Sequence, residues 1–117
     1  MLIVAIGYVM AVSAQTVKPS FPGGENALTE YVNKHIEYPK AAISNSIEGT
    51  VTVEFTVKAD GSISGARIVR PIDPDLEKEA LRIVNGMPRW NAGSDGGKSV
   101  DAIVVLPVKF RLPKESE

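Results

Sequence analysis

The sequence predicts an α+β domain: a small antiparallel sheet of about three strands with two main helices packed on one face. Apolar and polar residues alternate over residues 50–58 and again over residues 100–112, which is the period of a strand with one buried face. Two other segments, residues 25–36 and the stretch between Asp73-Pro74 and Gly86, carry apolar residues at helical spacing. A hairpin alone is marginal in water, so the helices must cover the sheet.

Composition limits the function classes. The chain has 117 residues, 44% of them apolar and 23% charged, which suits one globular domain. A net charge of -1 argues against a nucleic-acid partner, because phosphate-binding surfaces carry an excess of Lys and Arg. With no cysteine and one histidine, His35, the chain lacks the usual ligands of a structural zinc site. We therefore expect no catalytic residues, no metal and no cofactor.

The N-terminal residues 1–14, MLIVAIGYVMAVSA, are almost wholly apolar and end in small residues before Gln15. This pattern predicts a secretory signal peptide that is cleaved after Ala14, and hence an exported protein. The run is shorter than the roughly 20 apolar residues of a membrane-spanning helix. A truncated membrane anchor, which would keep the protein membrane-associated, and a buried N-terminal strand or helix remain as alternatives. Residues 15–24 are predicted as an extended lead-in and residues 113–117 as a polar tail.

Three helices are predicted after the lead-in. The first covers residues 25–36, and Tyr38-Pro39 ends it because the residue before proline avoids the helical region. Pro39 also begins a short second helix to Ser44. Asp73 caps the third helix and Pro74 takes its first position. Its predicted inward residues are Leu76, Ala80, Ile83, Val84 and Met87. Its predicted outward residues are Asp75, Glu77, Lys78, Glu79 and Arg82.

Three strands complete the predicted domain, which spans residues 21–112. Residues 50–58 and 62–70 form a hairpin around Asp60-Gly61, and Gly65 marks a bulge that switches register. Residues 91–98 are predicted as a polar loop. The final strand follows, with one apolar parity from Val100 to Leu112.

Several motifs could carry chemistry, and each has a structural explanation. Residues 92–99, AGSDGGKS, match a relaxed phosphate-loop pattern, but a strand instead of a helix follows, so we interpret them as a connector. His35 is predicted to pack in or beside the core. The acidic residues after Asp73 suit the positive end of a helix. Trp90 is predicted as a core residue beneath the loop, with an exposed binding anchor as the alternative.

The last strand carries the functional hypothesis. Ile103, Val105 and Pro107 make its second face apolar too, and Pro107 cannot donate a ladder hydrogen bond. We therefore expect this strand at the edge of the sheet, with residues 50–58 in the centre and unpaired backbone groups available to a visiting strand. That edge could capture an extended peptide or pair with a second copy as a homodimer. A position between two strands of its own chain would contradict this hypothesis.

Several motifs in order resemble the C-terminal domain of TonB energy transducers, in a form common in Bacteroidetes-type bacteria. The resemblance covers residues 21–112. The matching motifs are Phe21-Pro22-Gly23-Gly24, Tyr38-Pro39, Gly49-Thr50-Val51-Thr52-Val53, Asp60-Gly61-Ser62-Ile63, Glu79-Ala80-Leu81-Arg82, Met87-Pro88-Arg89-Trp90 and Pro107-Val108-Lys109-Phe110-Arg111-Leu112.

The resemblance implies periplasmic work without catalysis. TonB-like domains bind the TonB box, a short segment of TonB-dependent outer-membrane transporters, which adds as a strand beside the last strand of the domain. The residues implied in partner binding are Tyr38, Pro39, Ser99, Val100, Asp101, Ala102, Ile103, Val104, Val105 and Leu106. Full transducers also carry an N-terminal anchor, which docks with the ExbB–ExbD motor, and a long Pro-rich linker. We expect no direct ExbB–ExbD docking by this chain alone.

Overall fold

The computed structural model describes residues 15–112 and, for residues 7–9, the backbone. The rest of the predicted signal peptide and the predicted tail at residues 113–117 lie outside the described residues. Within the described part, none of the helices combines the length and the apolar content that crossing a membrane requires.

Helices and strands follow the predicted order, with additional short strands. The three helices are α1 Glu25–His35, α2 Lys40–Ser44 and α3 Pro74–Asn85. The strands are β1 Gly7–Val9, β2 Thr16–Val17, β3 Gly49–Val57, β4 Ile63–Arg70, β5 Gly93–Asp95, β6 Lys98–Val100 and β7 Ala102–Phe110. They form one sheet in the order β1-β7-β3-β4 and a second in the order β2-β5-β6, with antiparallel neighbours throughout.

The core lies on one face of β3 and β7. Nine residue pairs join these strands, from Gly49 opposite Phe110 to Val57 opposite Ala102. Alternate residues of both strands are buried, as the period-two pattern predicts. Helices α1 and α3 supply buried residues to the same cluster: Leu28, Val32, Leu76, Ala80, Ile83 and Val84. The predicted α+β class and the central position of β3 are confirmed.

The β3–β4 hairpin contains the predicted irregularity. Gly65 has a positive φ of 64°, and the register between the strands shifts between Glu54 and Thr56. A glycine adopts this backbone conformation without the steric cost of a Cβ. The bulge therefore explains why the apolar parity changes along β4.

Glu79 on α3 was predicted to face water, and that prediction is wrong. Only 8% of the surface of Glu79 is exposed. Its carboxylate accepts the backbone N–H of Glu37 at 2.7 Å and two hydrogen bonds from Arg82, both at 2.7 Å. Charged groups are buried where partners satisfy them, and helical periodicity cannot show that a partner arrives from residue 37.

The predicted polar loop at residues 91–98 is also wrong, because it contains a small hairpin. Strands β5 and β6 pair around Gly96 and Gly97, whose φ angles of 61° and 82° suit a tight two-residue turn. The lead-in reaches this hairpin through β2, which pairs with β5. The hairpin has few apolar residues, so its polar composition concealed its strands.

Trp90 lies in the core, as predicted, with 3% of its surface exposed. Its ring makes edge contacts with Phe21 and Phe55, at centroid distances of 5.7 and 5.4 Å. Its backbone N–H donates to the carbonyl of Gly61 at 2.8 Å. The lead-in and the β3–β4 turn are thereby joined to the segment after α3.

Candidate strand-binding site

Strand β7 presents two different faces and two different edges. Ala102, Val104 and Leu106 are buried in the core, whereas Ile103 and Val105 are half-buried on the opposite face. One edge forms the ladder with β3. A binding strand would therefore meet the second edge and the side chains of the half-buried face.

That second edge is not vacant, and the prediction of an unpaired last strand is wrong over residues 103–105. Strand β1 pairs there, with Gly7 opposite Val105 and Val9 opposite Ile103. Strand β7 therefore lies between two strands of its own chain, β1 and β3. Unpaired backbone groups at a sheet edge form hydrogen bonds with any extended segment within reach. A segment of the same chain has a high effective concentration, which favours its pairing at this edge.

The remaining predicted binding residues upstream of β7 belong to other parts of the fold. Ser99 and Val100 lie in β6 and pair with Ser94 and Gly93 of the second sheet. The carboxylate of Asp101 accepts the backbone N–H of Ala59 at 2.8 Å. That hydrogen bond, and to a lesser degree the contact with Lys58, lowers the pKa of Asp101. These contacts give Asp101 a structural role at the β3–β4 turn.

Tyr38 and Pro39 lie at the other end of β7. The ring of Tyr38 packs edge-on against Phe110 at a centroid distance of 5.7 Å, and its hydroxyl donates to the carbonyl of Ile47. Burial, and then the charge of Glu48, raise the pKa of Tyr38. At about 3.3 Å per residue, Phe110 is roughly 23 Å along the strand from Ile103. The structure does not bring the two halves of the predicted site together.

A groove of about 500 Å³ adjoins Tyr38 and Pro39. Its other lining residues are Glu37, Lys40, Asp75, Lys78, Glu79 and Arg82. The Arg82 guanidinium contacts Glu79, Glu37 at 3.2 Å and the carbonyl of His35 at 2.8 Å. These charges join the end of α1 to α3, so the groove carries an internal ion pair between helices.

The one histidine and the acidic side chains were the residues considered for catalysis or metal binding. His35 is exposed and stacks on Tyr31 with ring centroids 4.2 Å apart, so it lies beside the core and not in it. In residues 7–9 and 15–112, no cluster of three or more His, Asp or Glu side chains could hold a metal ion. The described geometry defines a class of protein: a small α+β domain whose last strand pairs with β3 at one edge and with β1 at the other.

Sequence comparison identifies the family within this class. The model of the family described as the Gram-negative bacterial TonB protein C-terminal matches residues 34–112. That is well over half of the chain, and the chain belongs to this family.

Individual relatives agree with this assignment. The chain is 38% identical to Protein TonB of Haemophilus influenzae over 61 residues, which cover 51% of this chain and 23% of that protein. The chain thus aligns with about a quarter of the length of this curated relative.

Two NMR solution structures of the TonB C-terminal domain of Helicobacter pylori share the fold. One has a TM-score of 0.56 and covers 77% of this chain and 95% of its own. The other has a TM-score of 0.57 and covers 80% and 89%. Both are 24% identical to this chain, so they support the fold alone.

Proposed function

We propose that this chain is a periplasmic protein-binding module of the TonB type. It captures an extended, TonB box-like segment of an outer-membrane transporter by β-strand addition along β7. It acts as part of, or accessory to, energy-coupled transport and catalyses no reaction.

The pairing of β1 contradicts a permanently open edge, but the same observation carries the proposal: the second edge of β7 pairs with an extended segment, Gly7–Val9, that is remote in sequence from β7. Backbone pairing of this kind needs little side-chain complementarity, which suits an extended peptide. Family membership supplies the kind of partner. Binding over residues 103–105 requires that Gly7–Val9 leave this edge.

The position of Pro107 indicates which backbone groups of β7 point away from β3. Because proline has no N–H, the β3–β7 ladder is complete only if its nitrogen faces the second edge. Every second residue of a strand directs its N–H and C=O groups to the same edge. Ile103 and Val105 therefore direct theirs to the second edge, as Pro107 does. Their N–H and C=O groups are the ones that a partner strand would use.

The test is a titration of the isotope-labelled chain with synthetic peptides from the N-terminal segments of outer-membrane transporters. We expect perturbed amides over residues 100–106 and an affinity of roughly micromolar, from four to six backbone hydrogen bonds at about 1 kcal/mol each and a few side-chain contacts, less the ordering costs. Ile103→Pro removes an edge N–H. In a chain whose β1 pairing is already weakened by Val9→Pro, it should reduce the affinity about tenfold or more. Ile103→Thr keeps that N–H and should retain most of the affinity in the same background.

Two results would contradict the proposal. In the first, none of the peptides binds at millimolar concentration. In the second, Ile103→Pro binds as tightly as Ile103→Thr while the β3–β7 amides stay protected in both. Sedimentation of the same samples reports self-association, and a concentration-dependent mass without peptide binding would favour the edge-paired dimer instead.

A further inference from the structure

Strand β1 covers the part of β7 that a partner strand would need. Its three pairs run from Gly7 opposite Val105 to Val9 opposite Ile103. By the parity of Pro107, the backbone N–H groups of Ile103 and Val105 face this edge. A visiting strand and β1 therefore compete for the same hydrogen-bonding groups.

Strand β1 is close in sequence to β2, which is anchored on the second sheet. Six residues, 10–15, separate Val9 from β2, and β2 pairs with β5 on the same molecule. Six residues reach at most roughly 20 Å. Tethers of this length hold a segment at an effective concentration on the order of millimolar, which favours its return to the edge after each opening.

The β1 ladder is also the weaker of the two on β7. It has three residue pairs, whereas the β3 ladder has nine. Short peripheral ladders open at lower free energy than the central pairs of a sheet. Strand β1 can therefore leave while β7 stays paired with β3.

We propose that Gly7–Val9 is an internal strand ligand of β7, and that a partner strand binds only after this segment has left. The consequence for partners rests on the proposed function. The apparent affinity for a partner is reduced by the fraction of molecules in which β1 is away from the edge. Processing after Ala14, which the sequence predicts, would remove the competing segment and open the site.

The first experiment needs no partner. Val9→Pro removes a backbone N–H from β1, and Val9→Thr keeps this N–H and a β-branched side chain at the same position. We expect the Ile103 and Val105 amides to exchange with solvent at least about tenfold faster in Val9→Pro than in Val9→Thr. The Val104 and Leu106 amides, which face β3, should remain protected in both. Equal exchange rates at Ile103 and Val105 would overturn the inference.

The second experiment supplies the β1 segment as a separate peptide. A lysine-flanked synthetic peptide with the sequence of residues 5–11, AIGYVMA, is added to Val9→Pro. We expect saturable binding that slows exchange at Ile103 and Val105, and no effect from the same peptide with proline in place of its valine. Absence of binding at millimolar concentration would also overturn the inference.

Transporter peptides then separate this inference from the proposed function. We expect them to bind Val9→Pro about tenfold more tightly than Val9→Thr. Equal affinity for the two variants would overturn the internal-ligand inference and leave the proposed function standing. If AIGYVMA binds and no transporter peptide does, the internal ligand stands and the proposed function fails.

Discussion

At the scale of single residues, Gly61 shows how one missing side chain allows a close contact. Its φ is 87°, and a Cβ at this position would lie 2.3 Å from the carbonyl oxygen of Trp90. The clash involves backbone, so no side-chain rotation relieves it. The hydrogen bond from Trp90 to Gly61 depends on this approach.

Gly61→Ala should therefore lower the free energy of unfolding by more than about 3 kcal/mol, from left-handed strain of about 1–2 kcal/mol and the added clash. Gly97→Ala is the matched control. Its φ is 82°, but its added Cβ would meet no atom within 4 Å. We expect Gly97→Ala to cost only about 1–2 kcal/mol in urea unfolding. Equal losses in both variants would contradict the role of the Trp90 contact.

At the scale of elements, helix α3 begins as its sequence predicts. The carboxylate of Asp73 accepts the backbone N–H groups of Asp75 and Leu76, at 3.0 and 3.1 Å. Pro74 takes the first helical position, where no N–H is needed. Cap and proline together fix the first turn.

Asp73→Ala should destabilise the protein by about 1 kcal/mol, because it leaves those two N–H groups without the cap. Asp75→Ala removes a carboxylate from the same turn without removing the cap, so it should cost only a few tenths of a kcal/mol. Thermal unfolding of both variants at equal protein concentration measures the difference. A larger loss for Asp75→Ala would mean that charge, and not capping, stabilises this turn.

The elements that the sequence predicts well are those with strong local patterns. Residues 50–58 and 102–110 alternate without interruption, and α3 has both a cap and a periodic stripe. The β5–β6 hairpin could not be predicted in this way, because three-residue strands have no readable period. Its two consecutive glycines, Gly96 and Gly97, were the available signal for a tight turn.

The candidate site was predictable only in part. The alternation of apolar residues identified which face of β7 is buried. Pro107 indicated which edge of β7 faces away from β3. The occupant of that edge was not predicted, because the apolar run at residues 1–14 fits the signal-peptide pattern and a three-residue strand has no readable period. The distance between Tyr38 and Ile103 is a property of the assembled sheet, so local sequence does not contain it.

At the scale of the whole molecule, Glu79 and Arg82 join helices that are distant in sequence. Burial raises the pKa of Glu79, but hydrogen bonds from Arg82 and from the backbone of Glu37 outweigh it, so the pKa of Glu79 is lowered. A carboxylate with a lowered folded pKa stabilises the protein above its unfolded pKa. That contribution is lost as the pH falls through the folded value.

Glu79→Gln should therefore destabilise the protein by about 1–2 kcal/mol at pH 7, and by less at the lowest pH at which the natural chain stays folded, because the natural carboxylate gains protons as the pH falls. Urea unfolding at both pH values measures the two differences. Glu30→Gln, on the exposed face of α1, controls for the loss of one charge. A cost of Glu79→Gln that is the same at both pH values would exclude the ion pair as its source.

The anchoring of the lead-in has a mechanical consequence. Tension applied at Gln15 acts first on the two pairs between β2 and β5, and then on the two hydrogen bonds between Ser20 and Asn91. The nine-pair ladder between β3 and β7 lies further along the load path. A pull at Gln15 thus detaches β2 from β5, and the lead-in from Asn91, before it loads the ladder between β3 and β7.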